Sequence, residues 1–243
     1  MKSNLNKKNR DVFAIILAAG RGSRMGAKIN KMLLPLHNKT VLERACLAFE
    51  NLEEIKGYVV CAAIDEIELI KNILNKKTFS KLMTVTAGGD SRMRSVHSGL
   101  MWLNNHDIDN EALVLIHDGA RPLVSAEVIL RCVTALQAEV CAVAAAVPVV
   151  DMIREVDDQG LILNSPDRSK LRAMQTPQGA SLELLLASIS APQNNNFTAV
   201  DDAAMMLEIG CPLRLVAGEE TNIKITTPTD LHLAELILSN GDK

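Results

Sequence analysis

The sequence predicts one α/β domain over residues 1–243, a Rossmann-like, mostly parallel sheet flanked by helices, with a β-hairpin arm protruding from it. Three observations carry this. Short apolar, β-branched runs alternate along the chain with stretches of helical periodicity, the order that produces βαβ units. The chain has 243 residues and is 48% hydrophobic, which suits one such domain with a core to match. The alternation breaks once, across residues 148–171, where loose period-two patterning on both sides of Asp157-Asp158-Gln159-Gly160 reads as a hairpin.

Residues 1–10 are polar and basic and read as a tail. Residues 12–17 are apolar and β-branched enough for a buried strand. The character then changes at once. Ala18, Ala19 and Gly20 have almost no side chains, Gly22 follows, and Arg21, Arg24, Lys28 and Lys31 put four cations within eleven residues. Small residues let a backbone approach a polyanion and aim its N–H groups at it, and the cations neutralise what the amides cannot. A strand running into such a loop reads as a phosphate site, with a plain basic surface loop as the alternative. It is neither of the two better-known phosphate loops. The P-loop spacing is absent, and in the dinucleotide pattern Met25 stands where the third glycine belongs.

Residues 40–50 have helical periodicity, with Leu42, Ala45, Cys46 and Phe49 on one face and Thr40 and Glu43 spaced as a capping box. A strand over 57–63, a helix over 65–74 with Ile67, Ile70, Ile73 and Leu74 inward, and a strand over 82–87 follow. Gly88-Gly89-Asp90 makes a turn into a helix over 91–103. Ligands of open α/β sheets sit beyond the carboxyl ends of strands, and both this turn and the basic loop fall there. The strand over 112–116 ends in His117-Asp118. An acid in that place, within reach of phosphates, suits help with Mg²⁺ or with hydroxyls, and Arg121 offers a fork for a phosphate or polyol. His117 reads as structural. A helix over 125–136 and a strand over 141–147 lead into the arm. Beyond it, 181–189 is helical, 191–196 is a low-complexity loop, and 200–209 is a helix. Asp201 and Asp202 in its first turn read as caps. A strand over 213–216 and a helix over 227–238, with Pro228 at its start, finish the chain.

Composition closes off several classes. Aromatic residues are 2% of the chain and the net charge is −3, which leaves no base-stacking platform and no basic coat for nucleic acid. Cys46, Cys61, Cys132, Cys141 and Cys211 show no C-x-x-C spacing and read as small core residues in a reducing compartment. The apolar run at 12–19 is followed by the basic loop where a signal peptide would have a polar cleavage region. No stretch approaches the ~20 apolar residues of a membrane span. These features point to a cytoplasmic protein with no membrane partner.

The run Leu17-Ala18-Ala19-Gly20-x-Gly22-x-Arg24-Met25, with Lys31 seven residues past the arginine, resembles the signature loop of sugar-nucleotide pyrophosphorylases and cytidylyltransferases. Gly88-Gly89 with Arg92 and Arg94-Ser95-Val96, then His117-Asp118-Gly119-Ala120-Arg121-Pro122, Thr176-Pro177-Gln178 and Asn222-Ile223-Lys224-Ile225-Thr226, follow in register. From about residue 12 to 238 the chain resembles the 2-C-methyl-D-erythritol 4-phosphate cytidylyltransferase family, the CTP-using enzymes of non-mevalonate isoprenoid synthesis with the nucleotide-diphospho-sugar transferase fold.

The resemblance implies that the acceptor's phosphate attacks the α-phosphorus of CTP in line and expels pyrophosphate. By the same resemblance Arg24, Lys31 and Lys224 carry the chemistry. Ala18, Ala19, Gly20, Gly89, Asp90, Ser95 and Asp118 bind the nucleotide, and Arg121, Arg168 and Thr176 bind the acceptor. Mg²⁺ bridges phosphate oxygens, with Asp118 as its possible protein contact, and the arm makes a homodimer. Three segments depart from the family's pattern. Asn30-Lys31-Met32 replaces Pro-Lys-Gln, Asp151-Met152 stands where some members carry a substrate-binding Thr, and Val200 replaces the Thr before the Asp pair. The alternatives are a ribitol 5-phosphate cytidylyltransferase of the same fold and a CTP-binding protein without turnover.

Overall fold

The computed structural model describes residues 9–20, 30–138, 141–190 and 201–241. In chain order they form β1 (Val12–Ala18), a 3₁₀ turn (Lys31–Leu33), the short strands β2 (Pro35–Leu36) and β3 (Lys39–Thr40), α1 (Val41–Glu50), β4 (Ile55–Ala62), α2 (Ile67–Ile73), β5 (Leu82–Ala87), α3 (Arg92–Asn104), β6 (Leu113–Asp118) and α4 (Ala126–Gln137). There follow β7 (Ala142–Pro148), β8 (Glu155–Val156), β9 (Ile162–Asn164), β10 (Arg172–Ser181), α5 (Leu182–Ser190), α6 (Asp202–Glu208), β11 (Leu213–Ala217) and α7 (Pro228–Gly241).

Seven strands make one sheet in the order β11-β7-β10-β6-β1-β4-β5. β1 pairs in parallel with β4 and β6. The chain leaves β1 on one side for β4 and β5 and returns on its other side as β6, so a crevice opens at the carboxyl ends of β1 and β6. Both faces of the sheet are covered. Val12, Ala14, Ile16 and Ala18 of β1 join the core beneath α1, α2 and α4, while Phe13, Ile15 and Leu17 join the core beneath α3, α5 and α6. That is why the strand reads as a continuous apolar run with no polar alternation. With few rings available, Val, Ile, Leu, Ala and Met fill both layers. A third cluster, around Leu36, Val41, Ile225 and Ala234, seats α7 against β2 and β3. Thr40 caps α1 with the reciprocal Thr40–Glu43 box that the spacing predicts.

The sequence leaves 172–181 without a strand, and here the structure corrects it. β10 runs antiparallel between β6 and β7 and is the reason the sheet is mixed. Its Gln175, Thr176 and Gln178 are polar, so it lacks the apolar signature of a central strand. Two features let it fit. Pairing to β7 lapses between Met174 and Gln178, and Pro177, with no N–H to give, falls inside that lapse. A Cβ on Gly179 would lie 2.3 Å from the Val114 carbonyl oxygen, so only glycine allows β10 this close to β6.

The arm is present but its ladder is short, with β8 and β9 pairing Glu155 to Asn164 and Val156 to Ile162. The Asp157 carboxylate accepts the Gln159 and Leu161 amides, both at 2.9 Å, and Gly160 turns at φ 83°. Val150, Met152, Leu161, Ile162 and Leu163 stand exposed along it.

The cysteine reading also needs correction. Cys141 and Cys211, 70 residues apart, form a disulfide that ties the start of β7 to the segment between α6 and β11. Spacing in sequence cannot reveal a pair that only tertiary packing brings together. Cys46, Cys61 and Cys132 are free and buried, and burial pushes the Cys61 and Cys132 thiols up to about 12.

Candidate active site

A cavity of about 660 Å³ opens in the crevice beyond the carboxyl ends of β1, β4, β5 and β6. Ala19 and Gly20 line it from the end of β1, Gly88 to Asp90 from the end of β5, and Asp118 from the end of β6. Lys31, Arg92 and Lys224 bring three cations to the same walls. The two described ends of the basic loop, at Gly20 and Lys31, therefore meet the glycine turn and the acid.

The glycine turn is built by close packing. A Cβ on Gly88 would lie 2.6 Å from the Ala19 Cβ, and one on Gly89 would lie 2.2 Å from the Arg94 Cβ. The Gly89 amide donates to the Ser95 hydroxyl at 3.0 Å, and that hydroxyl in turn donates to the Ser91 carbonyl at 3.0 Å. Ser95 thus braces the turn from α3 while lining the cavity. Asp90 lines the rim and pairs in the open with Arg94.

Lys31 is held from behind. Asn30 caps the 3₁₀ turn through its Oδ1, which accepts the Met32 amide at 3.0 Å. Its Nδ2 donates to Glu66 Oε2 at 2.6 Å and to the Ala18 carbonyl at 3.3 Å. The first position of the departure from Pro-Lys-Gln is thereby explained: Asn30 replaces a rigid ring with three hydrogen bonds, which cap the turn and tie it to the end of β1 and to Glu66. Ala18 contributes to the site through that carbonyl and is itself buried in the core.

Asp118 is the electrostatic centre. Its Oδ2 accepts from Lys224 Nζ at 2.7 Å, and its Oδ1 faces Arg92 Nε at 3.3 Å. Burial alone would raise this carboxyl, but Arg92 and Lys224 outweigh it and hold the group well below the usual carboxylate range. Arg92 was part of a sequence motif without a role. It also pairs through Nη2 with Asp202 Oδ2 at 2.7 Å. Burial disfavours the Arg92 charge, yet the two carboxylates beside it push its pKa above the ordinary value and keep it cationic. Asp201 is the α6 cap as expected, accepting the Ala204 amide at 2.9 Å, but Asp202 is not a cap. It lies inside, 1% exposed, against Arg92.

The Thr176-Pro177-Gln178 segment is a bracket for these groups. Gln178 Oε1 accepts the Ala203 amide and its Nε2 donates to Asp201, which fixes α6 to the sheet. Gln175 bonds to Glu219, and Asn222 Nδ2 donates to the Thr176 carbonyl, which fixes the segment leading to Lys224. Thr176 itself is 3% exposed and is not among the residues that line the cavity. Its hydroxyl accepts the Asp118 amide at 3.1 Å and meets His117 Nδ1 at 3.0 Å. His117 Nε2 lies 3.1 Å from the Arg121 carbonyl, which can only accept, so the proton sits on Nε2 and Thr176 donates to Nδ1.

His117 is structural, as its sequence position suggests. Burial lowers its pKa from 6.5 to about 4. Its unfolded form binds a proton that the folded form refuses, so stability is full above the unfolded value and is lost as pH falls from 6.5 toward about 4. The wild-type melting temperature should decline across that window, and His117→Gln should flatten the decline. A variant with the wild-type slope would show that another group sets it.

Arg121 and Arg168 do not line the cavity among the described residues. Arg121 Nη1 donates to the Asn222 carbonyl at 2.6 Å and its Nη2 to the Met174 carbonyl at 3.4 Å, so much of its fork braces the backbone. Arg168 sits exposed at the base of the arm and donates to the Val150 carbonyl. Arg24, with Arg21, Gly22 and Lys28, lies outside the described residues, as does Val200.

A mostly parallel sheet whose switch point brings together, among the described residues, a small-residue turn, the cations Lys31, Arg92 and Lys224 and the ionised Asp118 defines a nucleotidyltransferase of the nucleotide-diphospho-sugar transferase type. The family model for 2-C-methyl-D-erythritol 4-phosphate cytidylyltransferase matches residues 12–240, and the chain belongs to that family. A cytidylyltransferase of that name from Microcystis aeruginosa is 41% identical over 94% of this chain and 99% of its own length. Another from Desulforamulus reducens is 40% identical over 94% and 96%. The crystal structure of 4-diphosphocytidyl-2C-methyl-D-erythritol synthase from Anaerococcus prevotii superposes with a TM-score of 0.81 at 28% identity, covering 96% of this chain and all of that one. The Thermus thermophilus cytidylyltransferase gives 0.74 at 29% identity, covering 94% and 99%.

Proposed function

We propose that the cavity performs CTP-dependent cytidylyl transfer to 2-C-methyl-D-erythritol 4-phosphate, releasing pyrophosphate. The observation that carries this is the convergence of Lys31, Arg92, Lys224 and ionised Asp118 on one cavity beside the Gly88–Gly89 turn. The turn's backbone and Ser95 take the cytosine. Ala19 and Gly20 let the triphosphate approach the end of β1, and Lys31 together with Arg24 neutralises it. The acceptor's phosphate oxygen attacks the α-phosphorus in line, and Lys224 swings from Asp118 to the incoming anion. The protein does little covalent chemistry, so positioning and charge stabilisation dominate.

No cluster of three or more metal-ligating side chains exists among the described residues. Mg²⁺ fits this site as a nucleotide-borne ion, because it needs only one or two carboxylates when phosphates supply the rest, and Asp118 is the ionised carboxylate at hand. Bound there, it would neutralise charge on the phosphates.

The test is pyrophosphate release with CTP and Mg²⁺, comparing methylerythritol phosphate with ribitol 5-phosphate. Release with the former is expected. Release with ribitol phosphate alone would move the protein to another acceptor, and CTP binding without release would favour a binding protein.

The exposed apolar arm and the absence of Arg168 from the described lining of its own cavity support a homodimer in which each arm serves the partner's acceptor site. Arg168→Ala and Lys31→Ala enzymes, each nearly inactive, should regain about a quarter of wild-type activity when mixed and allowed to exchange subunits. No recovery would place Arg168 in its own subunit's site or in none. Among the described residues no helix is long and apolar enough to cross a membrane. A cytoplasmic location accords with the free Cys46, Cys61 and Cys132, and the Cys141–Cys211 bond is the feature that weighs against it.

A further inference from the structure

Four charged groups of alternating sign run through the site on four different segments. Asp202 of α6 meets Arg92 of α3, Arg92 meets Asp118 of β6, and Asp118 meets Lys224 beyond β11. The functional reading uses Arg92, Asp118 and Lys224. It leaves unexplained why a carboxylate 1% exposed lies at the far end, with its Oδ1 lacking a hydrogen-bond partner among the described residues. A buried carboxylate with a bare oxygen is costly unless its charge is needed.

The geometry of Arg92 supplies the need. A guanidinium next to a carboxylate ordinarily takes both oxygens through two parallel N–H···O bonds. Arg92 does not do so with Asp118. Its one contact there is the long Nε–Oδ1 approach of 3.3 Å, because Nη2 is drawn to Asp202 at 2.7 Å. Asp118 Oδ2 is therefore left to Lys224. We propose that Asp202 is a positioning residue that holds Arg92 away from a bidentate grip on Asp118, and so keeps Lys224 docked at the cavity wall for the acceptor.

This inference rests on the functional reading for its kinetic side but not for its structural side. Nothing else in the ladder competes for the same atoms. Asp201 is committed to the Ala204 amide and to Gln178, and Arg121 to two backbone carbonyls. Asp202→Asn keeps an oxygen for Nη2 and the same volume but removes the charge. Arg92 should then close on both Asp118 oxygens and release Lys224.

Two readouts separate this from a merely structural role. The first needs no activity: competitive acetylation of Lys224 by acetic anhydride, read by mass spectrometry. Losing its carboxylate partner should raise Lys224 labelling about fivefold in Asp202→Asn, with exposed Lys71 and Lys76 as unchanged references. The second is kinetic. Asp202→Asn should lower kcat about tenfold with KM for CTP within twofold, the pattern of an interaction realised in the transition state. The double variant with Lys224→Met should be no slower than Lys224→Met alone, since both act through one group. Unchanged Lys224 labelling would overturn the proposal, as would multiplicative losses in the double variant or a loss confined to KM for CTP. Should Asp202→Asn fail to fold, Asp202→Glu replaces it. That variant keeps the charge, and wild-type labelling with kcat within threefold is expected, whereas a loss beyond tenfold would overturn the assignment. Absence of turnover in the wild type would count against the functional reading, and the labelling result would still decide the role of Asp202.

Discussion

Lys31→Ala lowers kcat by about 10²–10³ at saturating CTP, the scale of one preorganised electrostatic contact. The lysine is held in place from behind. Its turn is capped by Asn30, and Asn30 is fastened both to the end of β1 and to Glu66. The residue is 9% exposed and lines the cavity, so its charge is placed before substrate arrives and little reorganisation remains for the reaction. Charge develops on the phosphates as the α-phosphorus becomes five-coordinate, and a fixed cation in a half-dry crevice acts most strongly there. Lys31→Arg should not restore the rate, because a planar fork on a longer stem cannot occupy the place of a compact ammonium. Asn30→Ala should cost less than Lys31→Ala, since the ammonium survives and only its tether is lost. Steady-state pyrophosphate release checks all three. A loss under threefold for Lys31→Ala would remove the residue from the mechanism.

What could be read in the sequence was whatever depends on local pattern. The apolar runs of β1, β5 and β6 and the Thr40–Glu43 box follow from neighbours a few residues apart, and they appear where the pattern puts them. The small basic loop and the glycine turn announce a phosphate site for the same reason. Long-range partners leave no such mark. β10 is polar and is a strand only because β6 and β7 lie on either side of it. Arg92 and Asp202 are 110 residues apart, and a motif arginine and a first-turn acid show no link in sequence until α3 and α6 face each other. Thr176 stands in a motif that suggests ligand contact, yet its hydroxyl is enclosed between Asp118 and His117. The Cys141–Cys211 bond belongs to the same class.

Asp118→Ala should lower the melting temperature of the free protein by about 10 °C, and CTP should recover more of that loss in the variant than it adds to the wild type. The Asp118 side chain is 11% exposed and faces two cations, Arg92 and Lys224. Removing one partner of a buried ion pair costs about 3–5 kcal/mol, because the remaining charge is stranded. For a chain of this size each kcal/mol moves the melting temperature by about 2–4 °C. The triphosphate restores negative charge to the same cavity, so the variant gains relief that the wild type does not need. The pH dependence carries its own sign. The folded carboxyl is held below its ordinary range, so its contribution is complete above about pH 4 and disappears as acidification approaches the folded value. That limb lies below the window set by His117, and Asp118→Ala should lack it while keeping the His117 decline. Equal stabilisation of both proteins by CTP, with melting temperatures within about 2 °C of each other, would mean that Arg92 and Lys224 are neutralised by something other than this carboxylate.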